Sequence, residues 1–295
     1  MRNSKYISEC TPINITREKE IKKIINRNKY KDINLFIGIT LATLIVLTCL
    51  SANIVAPNDP LKVDISNIFL KPTADYPLGT DQLGRCILSR ILYGGQASIF
   101  IALLSLLLTV TIGTTVGLLS ASYKSLDKIL MGICEITLAF PGILLAIVIV
   151  GFLGPSIINV MIAISFVSWT KYARITRNLT LSIKESGFVK AAKVCGTSKL
   201  NIIIRHILTN IISTILTIMM TDIGGTILRL ATLSFIGLGA QHPTPEWGIM
   251  INEARRYIDY APHMIIYPIL AIFVTVLAFN LIGDSLRDKL DTNRY

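Results

Sequence analysis

Residues 186–210, SGFVKAAKVCGTSKLNIIIRHILTN, form a polar island between stretches apolar enough to cross a bilayer. Phe188, Ala191, Ala192 and Cys195 recur at i, i+3, i+4 and i+7, which predicts one apolar stripe on a short helix. Lys190 and Lys193 point elsewhere. Gly196 ends this helix, because glycine adopts the left-handed cap conformation without a side-chain clash. Thr197 or Ser198 then caps a second helix, which climbs through His206 into the next apolar run. A short helix lying across a membrane face and joined rigidly to two spans can pass a partner's push into the bilayer. The plain alternative is an amphipathic interfacial loop with no partner. The side of the membrane on which the island lies therefore matters.

The composition sets the class. The chain is 52% hydrophobic and 16% charged, whereas a soluble domain carries about a quarter charged residues. It is an integral membrane protein. The first apolar run begins near Leu35, behind a polar start with no short apolar core and cleavage site, and reads as a retained span. Cys10, Cys49, Cys86, Cys134 and Cys195 stand alone, without the spacings of a disulfide framework or a zinc site. The net charge of +11 is informative through its distribution and implies no nucleic acid.

A spanning helix needs about 20 apolar residues. Residues 1–34 form a basic segment suited to an anionic lipid surface, and 35–56 the first span, closed by Pro57. After an outer segment, 57–93, a second span covers 94–122 and holds Gly113 and Gly117 at a spacing that permits close helix packing. The uncharged stretch 136–170 is too long for one span. The turn signal Gly154-Pro155-Ser156 divides it, giving spans at 129–153 and 157–177. A cytoplasmic loop, 178–206, precedes a fifth span at 207–235. A second outer segment at 237–263, a sixth span at 264–285 and a tail at 286–295 complete an all-α chain with six transmembrane helices. With both termini cytoplasmic, the inner pieces hold 22 Lys/Arg and the outer pieces 6, and basic residues mark the inner side. The island lies inside.

With the island placed, its residues resemble the EAA loop of ABC-importer permeases. Lys190, Ala191, Ala192 and Gly196, then Ile207 and Thr209, occupy that pattern, with Lys190 replacing the usual acid and Thr209 the usual proline. Leu78-Gly79-Thr80-Asp81, Gly84-Arg85 and Ser89-Arg90 are similar to the LGTDxxGRDxxSR signature of the peptide/nickel permease family, with Cys86 in place of Asp. Leu233–Gly239 matches its LSFLGLG stretch and Pro245-Glu246-Trp247-Gly248 its PEWG loop. The resemblance covers nearly the whole chain after the N-terminal segment. It implies the C-type subunit of a type I ABC importer in the cell membrane, paired with a second homologous permease. Two ABC ATPase subunits would dock below, and an extracytoplasmic binding protein would deliver the cargo. Phe188, Lys190, Ala191, Ala192, Gly196 and His206 would then form the ATPase-coupling loop. Glu246, Trp247 and Arg255, on a helix suited to the interface, would meet the binding protein. The chain has no GxxxxGK[ST] phosphate loop, so it is not the ATPase and binds no cofactor of its own. ATP and magnesium belong to the partner ATPases.

Ionisable residues inside spans are costly and are candidates for a transport pathway. Asp222, with Gly224 and Gly225 beside it, Arg229 and Glu135 meet that description. Arg229 stands about 10 Å beyond Asp222 along the helix, too far for a direct ion pair without a bend. Glu135, near the inner end of its span, suits a structural partnership. In the resembled family, peptide permeases carry a Glu before LSFLGLG where this chain has Leu230. Together with the stretches around Glu246–Arg255 and Ala278–Asp288, this places the chain nearest the nickel-permease branch. The expected cargo is nickel or a related transition-metal ion carried as a chelate, with peptides as the alternative. His206, His242 and His263 build no ligand cluster with the cysteines, so no metal site is assigned. A membrane-embedded enzyme would want HExxH, GxSxG or paired carboxylates, none of which occurs. A passive channel would have no use for the island.

Overall fold

The computed structural model describes residues 32–292, so the basic segment assigned to 1–34 lies almost wholly outside the described residues. Among those residues the regular structure is helical, apart from one isolated bridge between Thr80 and Cys86. Helix α1 is Asp32–Leu50, α2 Ile87–Ser122, α3 Lys124–Leu138, α4 Gly142–Leu153 and α5 Ile157–Lys184. Then follow α6 at Gly187–Val194, α7 at Lys199–Phe235, α8 at Trp247–Ala254 and α9 at His263–Thr292. Four of these, α1, α2, α7 and α9, are long and apolar enough to cross a membrane, and a fifth span results if α3 and α4 are taken together.

The expected single span at 129–153 is instead two helices meeting at 93°. Pro141 causes the break: its ring disfavours helical geometry at Phe140, and it has no N–H to continue the ladder. Gly154-Pro155-Ser156 does turn the chain. Gly154 adopts φ +89°, and Ser156 caps α5 by accepting from Ile158 N.

Helix limits also depart from the apolar runs. Helix α2 starts at Ile87, within the segment expected to be loop. Helix α5 continues past 177 to Lys184, and α7 begins at Lys199, behind the cap expected at Thr197 or Ser198 and ahead of the apolar run from 207. Lys and Arg are good helix formers, so a charge ends an apolar run without ending a helix. The loop expected at 178–206 shrinks accordingly to α6 and its short connections.

Small residues set the core geometry. A Cβ on Gly113 would stand 2.5 Å from Trp169 O, and one on Gly117 2.5 Å from Ala173 O, so these glycines let α2 lie directly on α5. On the other side, Gly283 of α9 meets the Thr221 backbone, and Gly224 of α7 meets Asn280. Ile211, Ile215, Ile223, Ile227 and Leu230 bury one face of α7 between these layers. Helix α8 and the segment preceding α2 cover one end of the bundle; α6 lies at the opposite end of α7.

Candidate functional site

Three groups of residues carry the features sought in the sequence. The first is α6. Ser198 caps α7 by accepting from Asn201 N, and Gly196 closes α6 at φ +77° with open space around it. Most of the apolar stripe faces outward. Val189 is the fully buried anchor and Ala192 is half-buried, whereas Ala191 and Cys195 are exposed and Phe188 is 47% exposed. Val194 and Leu200, at 88% and 64%, extend that outward apolar surface. Lys190 pairs with Glu185 at 3.1 Å on the surface. His206 falls on the expected second helix, within a π-helical turn, Ile202–Leu208, that opens α7. Helix α6 packs against this turn and the end of α5.

The second group lies between α5 and α7. Both Asp222 oxygens accept from Lys171 Nζ at 2.7 Å, and Oδ2 also accepts from Tyr172 Oη at 2.8 Å. Lys171 ends the uncharged run yet sits mid-helix and half exposed. Arg229 makes no pair with Asp222, as the helical rise requires; its Nη2 donates to Thr226 Oγ1 at 2.9 Å. Gly224 is consumed by packing against Asn280, while Gly225 leaves room for the Arg229 guanidinium. Glu135 is exposed on α3 and makes no ion pair among the described residues. The ion pair that ties α3 to α5 is Asp127 with Arg177, at 2.6 and 2.7 Å.

The third group occupies the covered end and accounts for the Leu78–Arg90 pattern. Asp81 Oδ1 accepts from Leu83 N and Arg85 N, folding a tight turn. Gly84, at φ +71°, passes so close to Asp64 O that any side chain would collide with it. Arg85 and Arg90 then both reach Asp81 Oδ2, at 2.7 and 2.5 Å, and both reach Glu253 Oε2 at 2.8 Å. All four side chains are nearly inaccessible. Burial alone would raise the Glu253 carboxyl, but the two guanidiniums outweigh it and hold the group below its usual range.

Glu246 and Trp247 do not form the surface assigned to them. Glu246 is fully buried and caps α8 by accepting from Gly248 N and Ile249 N; it also accepts from Ser98 Oγ. Burial pushes its carboxyl up, against the pull of those amides. Trp247 is equally buried and donates to Ile91 O at 2.9 Å. These two residues clamp α8 onto α2. Arg255 alone of the three is exposed, its guanidinium over the Phe235 ring. Glu253, Lys171 and Tyr172 were missed. Glu253 lies more than 160 residues from its arginines, with no pattern linking them.

A bundle of apolar spans with charged groups between two of them, and an exposed amphipathic helix at one end, marks a multi-pass membrane protein. The family model described as binding-protein-dependent transport system inner membrane component matches residues 113–294. Glutathione transport system permease protein GsiD of Escherichia coli O6:K15:H31 is 44% identical over 250 residues, covering 84% of this chain and 82% of that protein. GsiD of Pectobacterium atrosepticum is 47% identical over 221 residues, 75% and 73% of the two chains. The chain belongs to the binding-protein-dependent inner membrane component family, as an ABC importer permease of the peptide/nickel type. It is not itself catalytic; in such systems ATP hydrolysis resides in separate subunits. Both relatives are named for glutathione transport and neither for nickel, the first expectation for the cargo.

Proposed function

We propose that this chain is one half of the transmembrane pathway of an ATP-driven importer for short peptides of the glutathione type, paired with a second, homologous permease. Six spans with both termini in the cytoplasm are the reading favoured by the excess of Lys and Arg in the pieces that this topology puts inside. Helix α5 carries the span expected at 157–177. It is packed along α2 through Gly113 and Gly117, and its Lys171 is neutralised by Asp222.

The observation that carries the proposal is the outward apolar face of α6. An eight-residue helix is fastened by Val189 while Phe188, Val194 and the neighbouring Leu200 face outward. Exposed apolar groups on a fixed helix at the end of a bundle favour a partner surface. In this reading the partner is one of two ATPases that use ATP and magnesium. Their closure pushes α6, and the π turn at Ile202–Leu208 passes that push to α7 and to the Asp222 level. A binding protein delivers the peptide at the opposite end, where Arg255 is exposed and Glu246 and Trp247 act from beneath by holding α8.

Peptide cargo also suits the charge between α5 and α7. Lys171 cancels Asp222, which leaves the Arg229 cation to attract an anionic group such as a peptide carboxylate. The test is co-purification of the whole complex from membranes, followed by uptake. Phe188→Asp and Val194→Asp should each release the ATPases while leaving the permease pair intact. Radiolabelled glutathione or tripeptide should accumulate in cells carrying the importer and not in cells lacking it. Retention of the ATPases by the double variant would refute the α6 assignment, and nickel uptake without peptide uptake the cargo.

A further inference from the structure

Arg229 is exposed on a helix that crosses the membrane, yet no carboxylate pairs with it among the described residues. The nearest acid on its own helix, Asp222, has both oxygens committed to Lys171 and one also to Tyr172. A guanidinium offers five N–H donors in a fixed fork, and here a single one is used, toward Thr226 Oγ1. The side chain folds back over Gly225, with Nη1 only 3.7 Å from where a Cβ would stand. That posture holds the fork beside a cavity of about 160 Å³ that Arg229 lines together with Ser168 of α5, Gly142 and Ala146 of α4, and Leu233. Charge inside a span is expensive unless it meets a partner or lines a polar passage. The volume equals about five waters at some 30 Å³ each, enough for a carboxylate end and too small for a whole peptide.

We propose that Arg229 binds a free carboxylate of the cargo and so selects peptides with an acid terminus during translocation; this rests on the peptide reading above. The chemistry is that of a guanidinium–carboxylate fork, two parallel N–H···O bonds. Lys171 does not compete, because Asp222 neutralises it. Ser168, on the facing helix, is placed to donate a further hydrogen bond to the same group. The selection is distinct from that of the binding protein, since it acts on cargo already released into the pathway.

The experiment uses the whole importer in proteoliposomes with its binding protein at saturation. Uptake of labelled trialanine is compared with uptake of trialanine amide. Arg229→Gln is expected to slow the free acid by about tenfold or more, the worth of one charge-assisted bond, and to leave the amide unchanged. Arg229→Lys, which keeps the charge without the fork, should be intermediate. Binding-protein-stimulated ATP hydrolysis retained in both variants would exclude a folding defect. Equal slowing of acid and amide, or full acid uptake by Arg229→Gln, would overturn the inference. Absence of any peptide uptake by the unaltered importer would instead overturn the peptide reading and the inference with it.

Discussion

Glu253 offers a sharp test of how the segment before α2 is held. Its Oε2 accepts from Gln82 at 3.1 Å and from Arg85 and Arg90 at 2.8 Å, and its Oε1 from Arg90 at 3.2 Å. Oε1 also lies 3.0 Å from His242 Nδ1. Glu253→Ala would leave two buried guanidiniums facing Asp81 alone. Removing one member of a buried ion pair costs about 3–5 kcal/mol; the bonds share their partners, so their separate worths do not add. Glu253→Gln keeps the shape and loses the charge, at about 1.5–3 kcal/mol. Thermal unfolding of the assembled importer in detergent measures both. The acid limb adds a sign. The folded carboxyl titrates below its ordinary 4.5, so its contribution is complete above that value and fades as pH falls through the folded one. The unaltered protein should therefore weaken more steeply below about pH 4.5 than Glu253→Gln. An alanine variant within about 1 kcal/mol of the unaltered protein, the range of exposed pairs, would refute this account. So would an identical acid slope in Glu253→Gln.

Gly117→Leu should cost about 1–3 kcal/mol or more by overpacking, because the atom met is the Ala173 carbonyl of α5, and lower membrane yield together with earlier melting would register it. Asp222→Asn should lower the amount of assembled permease by leaving Lys171 uncompensated inside a span. Lys171→Met combined with it should restore much of that amount on a blot, and no recovery would count against the pairing. Gly196→Ala meets no neighbouring atom but must hold φ +77°, a strain of about 1–2 kcal/mol. Transport should fall more than expression does, since the strain is confined to the junction between α6 and α7.

Much of this architecture was legible because membrane insertion writes itself into composition. Apolar runs marked α1, α2, α7 and α9, and the Gly113/Gly117 spacing marked the α2–α5 contact. Where hydropathy misled, helix geometry and apolarity had parted company. Phe140-Pro141-Gly142 breaks a helix inside an uninterrupted greasy stretch, and only the proline records it. Lys171 ends an apolar run while remaining mid-helix, so its partnership with Asp222 could not be read from either residue. Periodicity located α6 and its apolar stripe but not Val189, the buried residue that anchors the helix. Glu246 and Trp247 were legible as a motif and not as buried residues. Their burial depends on Ser98 and Ile91, far away in the chain.

The elbow at Pro141 has a consequence for where water must go. Its two arms, 15 and 12 residues long, reach about 22 and 18 Å, each short of the roughly 30 Å of hydrocarbon. The start of the second arm therefore opens at depth, where its first amide hydrogens have no carbonyl to meet within the helix. Left dry, each would cost several kcal/mol. This corner, on the same hollow as Arg229, must stay wetted or be capped by a neighbouring subunit, and a continuous greasy barrier cannot form there.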